Sequence, residues 1–182
     1  MKILVFSDIH GSLPVVGRMT ALVRRHDPAV ILVLGDVLYH GPRNPQPAGY
    51  DPGAAARALA PLAPRIIAVK GNCDSEVDEF VLPFPLAPGF SWVLDGQLRI
   101  CATHGHHFGP HNIPPLSSGN VLLSGHTHVP MARTTPEGIH LCNPGSMAIP
   151  KEDSPPCFGL FDNGIFRVLR DSGETYLELD CR

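Results

Sequence analysis

The sequence predicts an α/β fold built on two β-sheets, and three observations carry that reading. The first part of the chain alternates short unbroken apolar runs with helical stretches in the order βαβαβ. The second half is rich in apolar runs that flank tight-turn signals. Aspartate, asparagine and histidine recur just after these runs, at the strand ends where open α/β sheets build their sites.

Ile3 to Phe6 reads as a buried strand, an apolar run too short for a helix. Pro14 suits a first helical turn, and the helix it opens should reach about Arg25. Val30 to Leu34 is a second buried strand ending at Gly35-Asp36. Residues 40 to 53 are crowded with glycine, proline and asparagine and form a long loop. Ala54 to Leu62 is an alanine-rich helix and Ile66 to Val69 a third strand, which completes a parallel sheet covered by helices.

Beyond it, Trp92 to Leu94 and Leu98 to Ala102 flank Asp95-Gly96, a type I′ hairpin signal. Val121 to Leu123 leads into Gly125-His126. Ala132 to Thr134 and Ile139 to Cys142 flank Pro136-Glu137-Gly138, and Phe158 to Phe161 and Ile165 to Leu169 flank Asn163-Gly164. Tyr176 to Leu179 is the last strand. This half is expected to form a second sheet packed face to face on the first.

At 182 residues the chain is long enough for a real core, and a single domain over residues 1–182 is expected. Hydrophobic residues make up 43% and charged residues 17%, a globular balance. The formal net charge is −3 with no lysine or arginine cluster, so no partnership with long nucleic acid is expected. No apolar stretch approaches the ~20 residues of a membrane span. The opening run to Phe6 is too short for a signal-peptide core, so a soluble, cytoplasmic protein is expected. The five cysteines (Cys73, Cys101, Cys142, Cys157 and Cys181) form no Cys-x-x-Cys pair, which argues against a disulfide framework or a thiolate zinc site. Oligomeric state stays open, a homo-oligomer included.

Five stretches carry the candidate chemistry: Asp8-Ile9-His10, Gly35-Asp36, Gly71-Asn72-Cys73-Asp74, Thr103-His104-Gly105 and Gly125-His126-Thr127-His128. In extended backbone Asp8 and His10 point to one side and reach one ion; the alternative is a helix-capping Asp8 and a solvated His10. His126 and His128 repeat that spacing. Asp36 either favours its turn or bridges two cations with its two oxygens. Asn72 offers a neutral carbonyl oxygen. Seven oxygen and imidazole donors (Asp8, His10, Asp36, Asn72, His104, His126 and His128) suit a pair of divalent transition-metal ions, Mn²⁺, Fe, Co²⁺, Ni²⁺ or Zn²⁺, with Mn²⁺ preferred. Two such ions, two carboxylates and a bridging hydroxide leave a net positive centre suited to phosphate esters.

In combination these stretches resemble the calcineurin-like metallophosphoesterase superfamily, and in detail its small bacterial YfcE-type phosphodiesterases. Ser7-Asp8-Ile9-His10-Gly11-Ser12, Gly35-Asp36-Val37-Leu38, Gly71-Asn72-Cys73-Asp74-Ser75-Glu76-Val77-Asp78 and Asn143-Pro144-Gly145-Ser146 carry the closer likeness. The resemblance implies a four-layer αββα sandwich of two mixed sheets flanked by helices. It also implies a ligand division: Asp8, His10, Asp36 and His128 on the first ion, and Asp36, Asn72, His104 and His126 on the second. The implied activity is hydrolysis of small phosphodiesters by a metal-bridging hydroxide. Phosphomonoester hydrolysis at the same site is one alternative. A metal-poor scaffold, like the retromer's phosphoesterase-like subunit, is another.

Around the ligands several roles are open. Many superfamily members carry histidine where this chain has Cys73, so the thiol either replaces a proton donor poorly or is a small buried hydrophobe. Asp74 either orients its neighbours or caps a turn. Arg43, with Asn44 beside it, lies in a proline-rich loop expected to start at the site's rim. It either grips substrate phosphate or is a solvated surface residue. His106, His107 and His111 contact substrate or solvent, Asn143 to Ser146 read as a tight turn, and His26 and His140 carry no signal.

Overall fold

The computed structural model describes residues Met1–Arg182. Strand β1 (Ile3–Phe6) leads to helix α1 (Leu13–His26), strand β2 (Val30–Val33), helix α2 (Pro52–Leu59) and strand β3 (Ile66–Val69). Buried Val15, Val16, Met19, Leu22 and Val23 give α1 the spacing of one apolar face, and Pro14 stands in its first turn. The helix stops at Asp27, whose left-handed φ of 44° lets its N–H close on the Val23 carbonyl. Helix α2 is shorter than its alanines suggest. Pro61 and Pro64 convert its continuation into a 3₁₀ segment, Ala60–Arg65.

Two elements escaped the sequence reading: helix α3 (Glu76–Val81) and strand β4 (Leu86–Ala87). The signal for α3 was present, since Ser75 and Asp78 form a reciprocal capping box. The remaining strands are β5 (Phe90–Asp95), β6 (Leu98–Thr103), β7 (Val121–Leu123), β8 (Met131–Thr134), β9 (His140–Asn143), β10 (Cys157–Asp162), β11 (Ile165–Arg170) and β12 (Thr175–Asp180). All five cysteines are free thiols. No helix is long and apolar enough to cross a membrane.

Pairing corrects one expectation. The strands of the second half do not all form the second sheet. β10, β11 and β12 return to the first, giving a seven-stranded order of β12-β11-β10-β1-β2-β3-β4. Here β10 runs antiparallel to β1, while β1 to β4 are mutually parallel. The second sheet has five strands in the order β5-β6-β7-β9-β8 and is also mixed. A hairpin signal fixes which strands are joined by a turn but says nothing of which sheet receives the pair.

The layers follow from alternation along the strands. Leu4, Phe6, Ile31 and Val33 face α1 and α2. Ile3, Val5, Leu32 and Leu34 face inward and pack on Ile100, Ala102, Val121 and Leu123 of the second sheet. The outer face of that sheet holds Cys101, Leu122 and Leu141. Ile113 and Leu116, on the irregular stretch between β6 and β7, lie against them.

This stacking brings the carboxyl ends of β1, β2, β3, β6 and β7 to one edge. Backbone bonds tie the loops there: Asp8 N–H donates to Gly35 O (3.1 Å), His10 N–H to Asp36 O (2.9 Å) and Gly125 N–H to His104 O (2.8 Å). Gly35 is needed at the closest approach. Its φ is +88°, and a Cβ there would sit 2.6 Å from Gly71 N and 2.9 Å from His104 Nδ1.

Candidate metal centre

Asp8, His10, Asp36, Asn72, His104, His126 and His128 all come together at this edge. Five of them have left-handed backbone: Asp8 (φ 54°), His10 (49°), Asp36 (53°), His126 (66°) and His128 (61°). The extended backbone read for Asp8-Ile9-His10 and its repeat at His126-Thr127-His128 is therefore wrong. Each pair converges through two left-handed turns flanking one residue. Such conformations cost a non-glycine residue about 1–3 kcal/mol each and persist only where their surroundings hold them.

The histidines are set by their outer nitrogens. His10 Nδ1 lies 2.8 Å from Tyr39 O, His104 Nδ1 2.7 Å from Leu34 O, and His128 Nδ1 2.5 Å from Ile149 O. A carbonyl only accepts, so each Nδ1 carries the proton. Burial drives the pKa of His10 down and brings those of His104 and His128 to about 4, so the rings are neutral near pH 7. Every Nε2 then presents a bare lone pair to the centre.

Those lone pairs face other acceptors. His10 Nε2 and His128 Nε2 are 3.3 Å apart, and they lie 3.8 Å and 3.4 Å from Asp8 Oδ1. Asp8 is fully buried. Ser7 Oγ (2.6 Å) and His126 N–H (3.0 Å) donate to its Oδ2, while Oδ1 has no hydrogen-bond partner. Burial holds its carboxyl well above the usual carboxylate range. On the other side, His104 Nε2 is 3.0 Å from Asn72 Oδ1, 3.2 Å from His126 Nδ1 and 3.5 Å from Asp36 Oδ1. Asp36 Oδ2 turns the other way, 3.9 Å from His10 Nε2. Asp36 thus reaches both groups with one oxygen each. Apart from the donors to Asp8 Oδ2 and one backbone N–H on Asp36 Oδ1, acceptors here face acceptors, and Asp8 Oδ1 is left bare. Cations complete such an arrangement, so the residues fit a pair of metal ions.

The residues around the ligands sort by their contacts. Of the two roles open to Asp74, the structure has it holding its neighbours, away from the cleft lining. It is buried, and its carboxylate accepts from the N–H groups of Gly71 (2.7 Å), Asp36 (2.8 Å) and Val37 (2.8 Å), clamping two strand ends together. Burial outweighs those bonds and lifts its pKa to about 6. Cys73 stands at the centre, with its N–H donating to Asp36 Oδ1 (2.8 Å). In the metal-free chain burial, followed by Asp36, pushes its thiol up to about 12. Arg43 lines the cleft of about 490 Å³ over the centre, together with Asn72, Cys73, His126 and His128. Asn44 lines it too, and its Nδ2 ties the loop by donating to His40 O (2.9 Å). The ring of His106 lies 5.2 Å from that of His104, while His111 is exposed. His140 is bonded to Thr134 Oγ1 and His26 packs edge-on against Phe158.

The Asn143-Pro144-Gly145-Ser146 turn braces the centre. Asn143 Nδ2 donates to Gly125 O (2.9 Å) and Thr127 Oγ1 (3.1 Å). Ser146 Oγ donates to Asp8 O (2.9 Å) and accepts from Ile149 N–H (3.0 Å), whose carbonyl orients His128. Sequence reasoning missed Ser7 and Lys151. The serine precedes a ligand and the lysine follows this turn, but a single serine or lysine carries no signal of its own.

A family model described as "Calcineurin-like phosphoesterase superfamily domain" matches residues 1–164. The chain belongs to this superfamily. Among its relatives, Phosphodiesterase YfcE of Escherichia coli strain K12 is 46% identical over 169 residues, covering 93% of this chain and 91% of that protein. The solved structure of YfcE, a phosphoesterase from E. coli, superposes with a TM-score of 0.97 at 42% identity over the whole of both chains. Vps29 of Entamoeba histolytica, solved with zinc, shares the fold at a TM-score of 0.61 and 19% identity, covering all of both chains. This superfamily member is a metal-dependent phosphoesterase of the YfcE type, with two mixed sheets as the resemblance implied.

The buried, neutral His104 makes a testable contribution to stability. Its folded pKa of about 4 lies below the unfolded value near 6.5, so between these limits the unfolded chain binds more protons. Stability from keeping this ring neutral is full above about pH 6.5 and is lost as pH falls towards 4. Metal-free wild type should therefore lose about 2–3 kcal/mol more than His104→Gln over that window. Urea denaturation at a series of pH values measures the difference, and parallel curves would contradict it.

Proposed function

We propose that this phosphoesterase is a dinuclear phosphodiesterase acting on small phosphodiesters in the cleft above the centre. The observation that carries the reading is the orientation of Asp36, with one carboxylate oxygen towards each of two acceptor groups, the buried Asp8, His10 and His128 and the more open set of Asn72, His104 and His126. Asp8, His10 and His128 would hold one ion and Asn72, His104 and His126 the other, with Asp36 between them. When bound, such a pair makes water nucleophilic at neutral pH and clamps both oxygens of an in-line displacement, with Mn²⁺ the preferred metal. The 46% identity to a named phosphodiesterase supports diesters over monoesters as substrates. The complete ligand set argues against a metal-poor scaffold.

The chain's own residues supply orientation and contact. Three imidazoles are aimed in advance by their Nδ1 bonds, so little reorganisation accompanies binding. Arg43 offers a planar fork that grips two phosphate oxygens at once. Pro42 and Pro45 restrict the backbone on either side of it and lower the entropic cost of holding it there. Cys73, which lines the cleft beside Asp36, is our candidate proton donor to the leaving group. A thiol, with an ordinary pKa of about 8.5, is less well matched to that task near neutrality than imidazole.

Three outcomes test this reading. Asp36→Asn should lose metal and lower turnover of bis(p-nitrophenyl) phosphate by about 10²-fold or more, since it touches both ions. Near wild-type turnover with full metal content would refute the assignment. Cys73→His should accelerate esters with poor, alkyl leaving groups more than nitrophenyl esters. An equal change on both would show that this position does not donate the proton. Arg43→Ala should lower kcat/KM about 10-fold on every diester without changing metal content or thermal stability. Unchanged kinetics across several diesters would remove Arg43 from the site.

A further inference from the structure

Arg43 is not the only cation that lines the cleft. Lys151 lies in its wall too, beside His126, Thr127 and His128. The two come from different loops, Arg43 from the one between β2 and α2 and Lys151 from the one between β9 and β10. Burial lowers the pKa of His126 first, and the charges of Lys151 and Arg43 add to it in the same direction, as expected of cations beside that ring.

The backbone that presents Lys151 is fixed on both sides. Before it, Ile149 N–H is held by Ser146 Oγ (3.0 Å) and Ile149 O by His128 Nδ1, and Pro150 limits the joint between them and the lysine. After it, the Lys151 carbonyl accepts from Ser154 N–H (3.1 Å) and Ser154 Oγ (2.6 Å). Glu152 and Asp153 follow in left-handed backbone, with φ of 53° and 55°. Despite these adjacent acids, neither Lys151 nor Arg43 takes part in any ion pair within the chain. The turn that aims a metal-ligand histidine therefore also delivers an unpaired ammonium to the rim.

Charge then points to the ligand. Two divalent ions offset by Asp8, Asp36 and a hydroxide leave one positive charge, which the single negative charge of a phosphodiester neutralises. Arg43 and Lys151 come on top of that balance, and the Asp74 carboxylate behind Asp36, already bonded to three backbone N–H groups, offsets only one of the two. A substrate that matches the cleft carries anionic charge beyond the reacting phosphate. The long flexible stem of lysine suits it to meet that charge at a distance from the metals.

We propose that Lys151 is a specificity residue that pairs with a carboxylate or phosphate on the non-leaving arm of the substrate, so that the preferred substrates are diesters with a second anionic group. The proposal rests on the phosphodiesterase reading. Two p-nitrophenyl diesters test it, one with a propyl second arm and one with a 2-carboxyethyl arm, which share a leaving group and differ in charge. The readout is the ratio of their kcat/KM values with Mn²⁺-loaded protein. Wild type should favour the carboxyethyl ester about 3–10-fold at low salt, and the preference should shrink towards unity at about 0.5 M salt. Lys151→Arg should retain it, Lys151→Gln should bring the ratio near one, and Lys151→Glu should invert it. A wild-type ratio of one or less, or an undiminished ratio in Lys151→Gln, overturns the proposal while leaving the phosphodiesterase reading intact. Hydrolysis of neither ester removes that reading and this inference with it.

Discussion

Acceptors facing acceptors at the buried edge of the sandwich are the constraint on which the rest of the structure turns. Lone pairs of His10, His104 and His128, the carboxylates of Asp8 and Asp36 and the Asn72 carbonyl converge with too few donors, which reach only Asp8 Oδ2 and Asp36 Oδ1. Without cations this is an expensive arrangement, since buried polar atoms need partners and Asp8 Oδ1 has none. With cations it becomes a rigid, preset ligand cage. The surroundings must therefore hold these groups in place before any ion arrives.

Two braces do so from opposite sides. The Asp74 carboxylate accepts three backbone N–H groups and joins the end of β2 to the end of β3, which fixes Asp36 and the start of the Asn72 loop. The Asn143 to Ser146 turn reaches across the two sheets to Asp8, Gly125 and, through Ile149, to His128. Each brace uses a buried side chain to satisfy backbone groups that the left-handed turns leave unpaired. Local strain and local bonding thus compensate one another, and five ligands stay in conformations they would leave in isolation.

Function adds a division of labour to this frame. The candidate ligands stand at strand ends, most of them buried, while Arg43 and Lys151 sit on loops and line the cleft. Burial tunes the first group, keeping imidazoles neutral and a thiol protonated. Exposure leaves the second group free to respond to the charge of an incoming molecule.

The donors that converge at this edge were legible in the sequence because each stands beside an apolar run or a glycine whose meaning is local. Periodicity placed β1, β2, β3 and α1 within a residue or two, and the donor types alone argued for a transition metal. Three things depended on contacts between distant segments. The return of β10 to pair with β1 was one, because hairpin signals are silent about sheet partners. The left-handed turns at Asp8, His10, His126 and His128 were another, since only cross-chain bonds stabilise them. The roles of Asp74 and Lys151 were the third. An aspartate becomes a clamp, and a lysine a rim cation, only when folding brings segments more than thirty residues apart within reach of it. Local chemistry determined which side chains carry the site, and long-range packing decided how they point and what surrounds them.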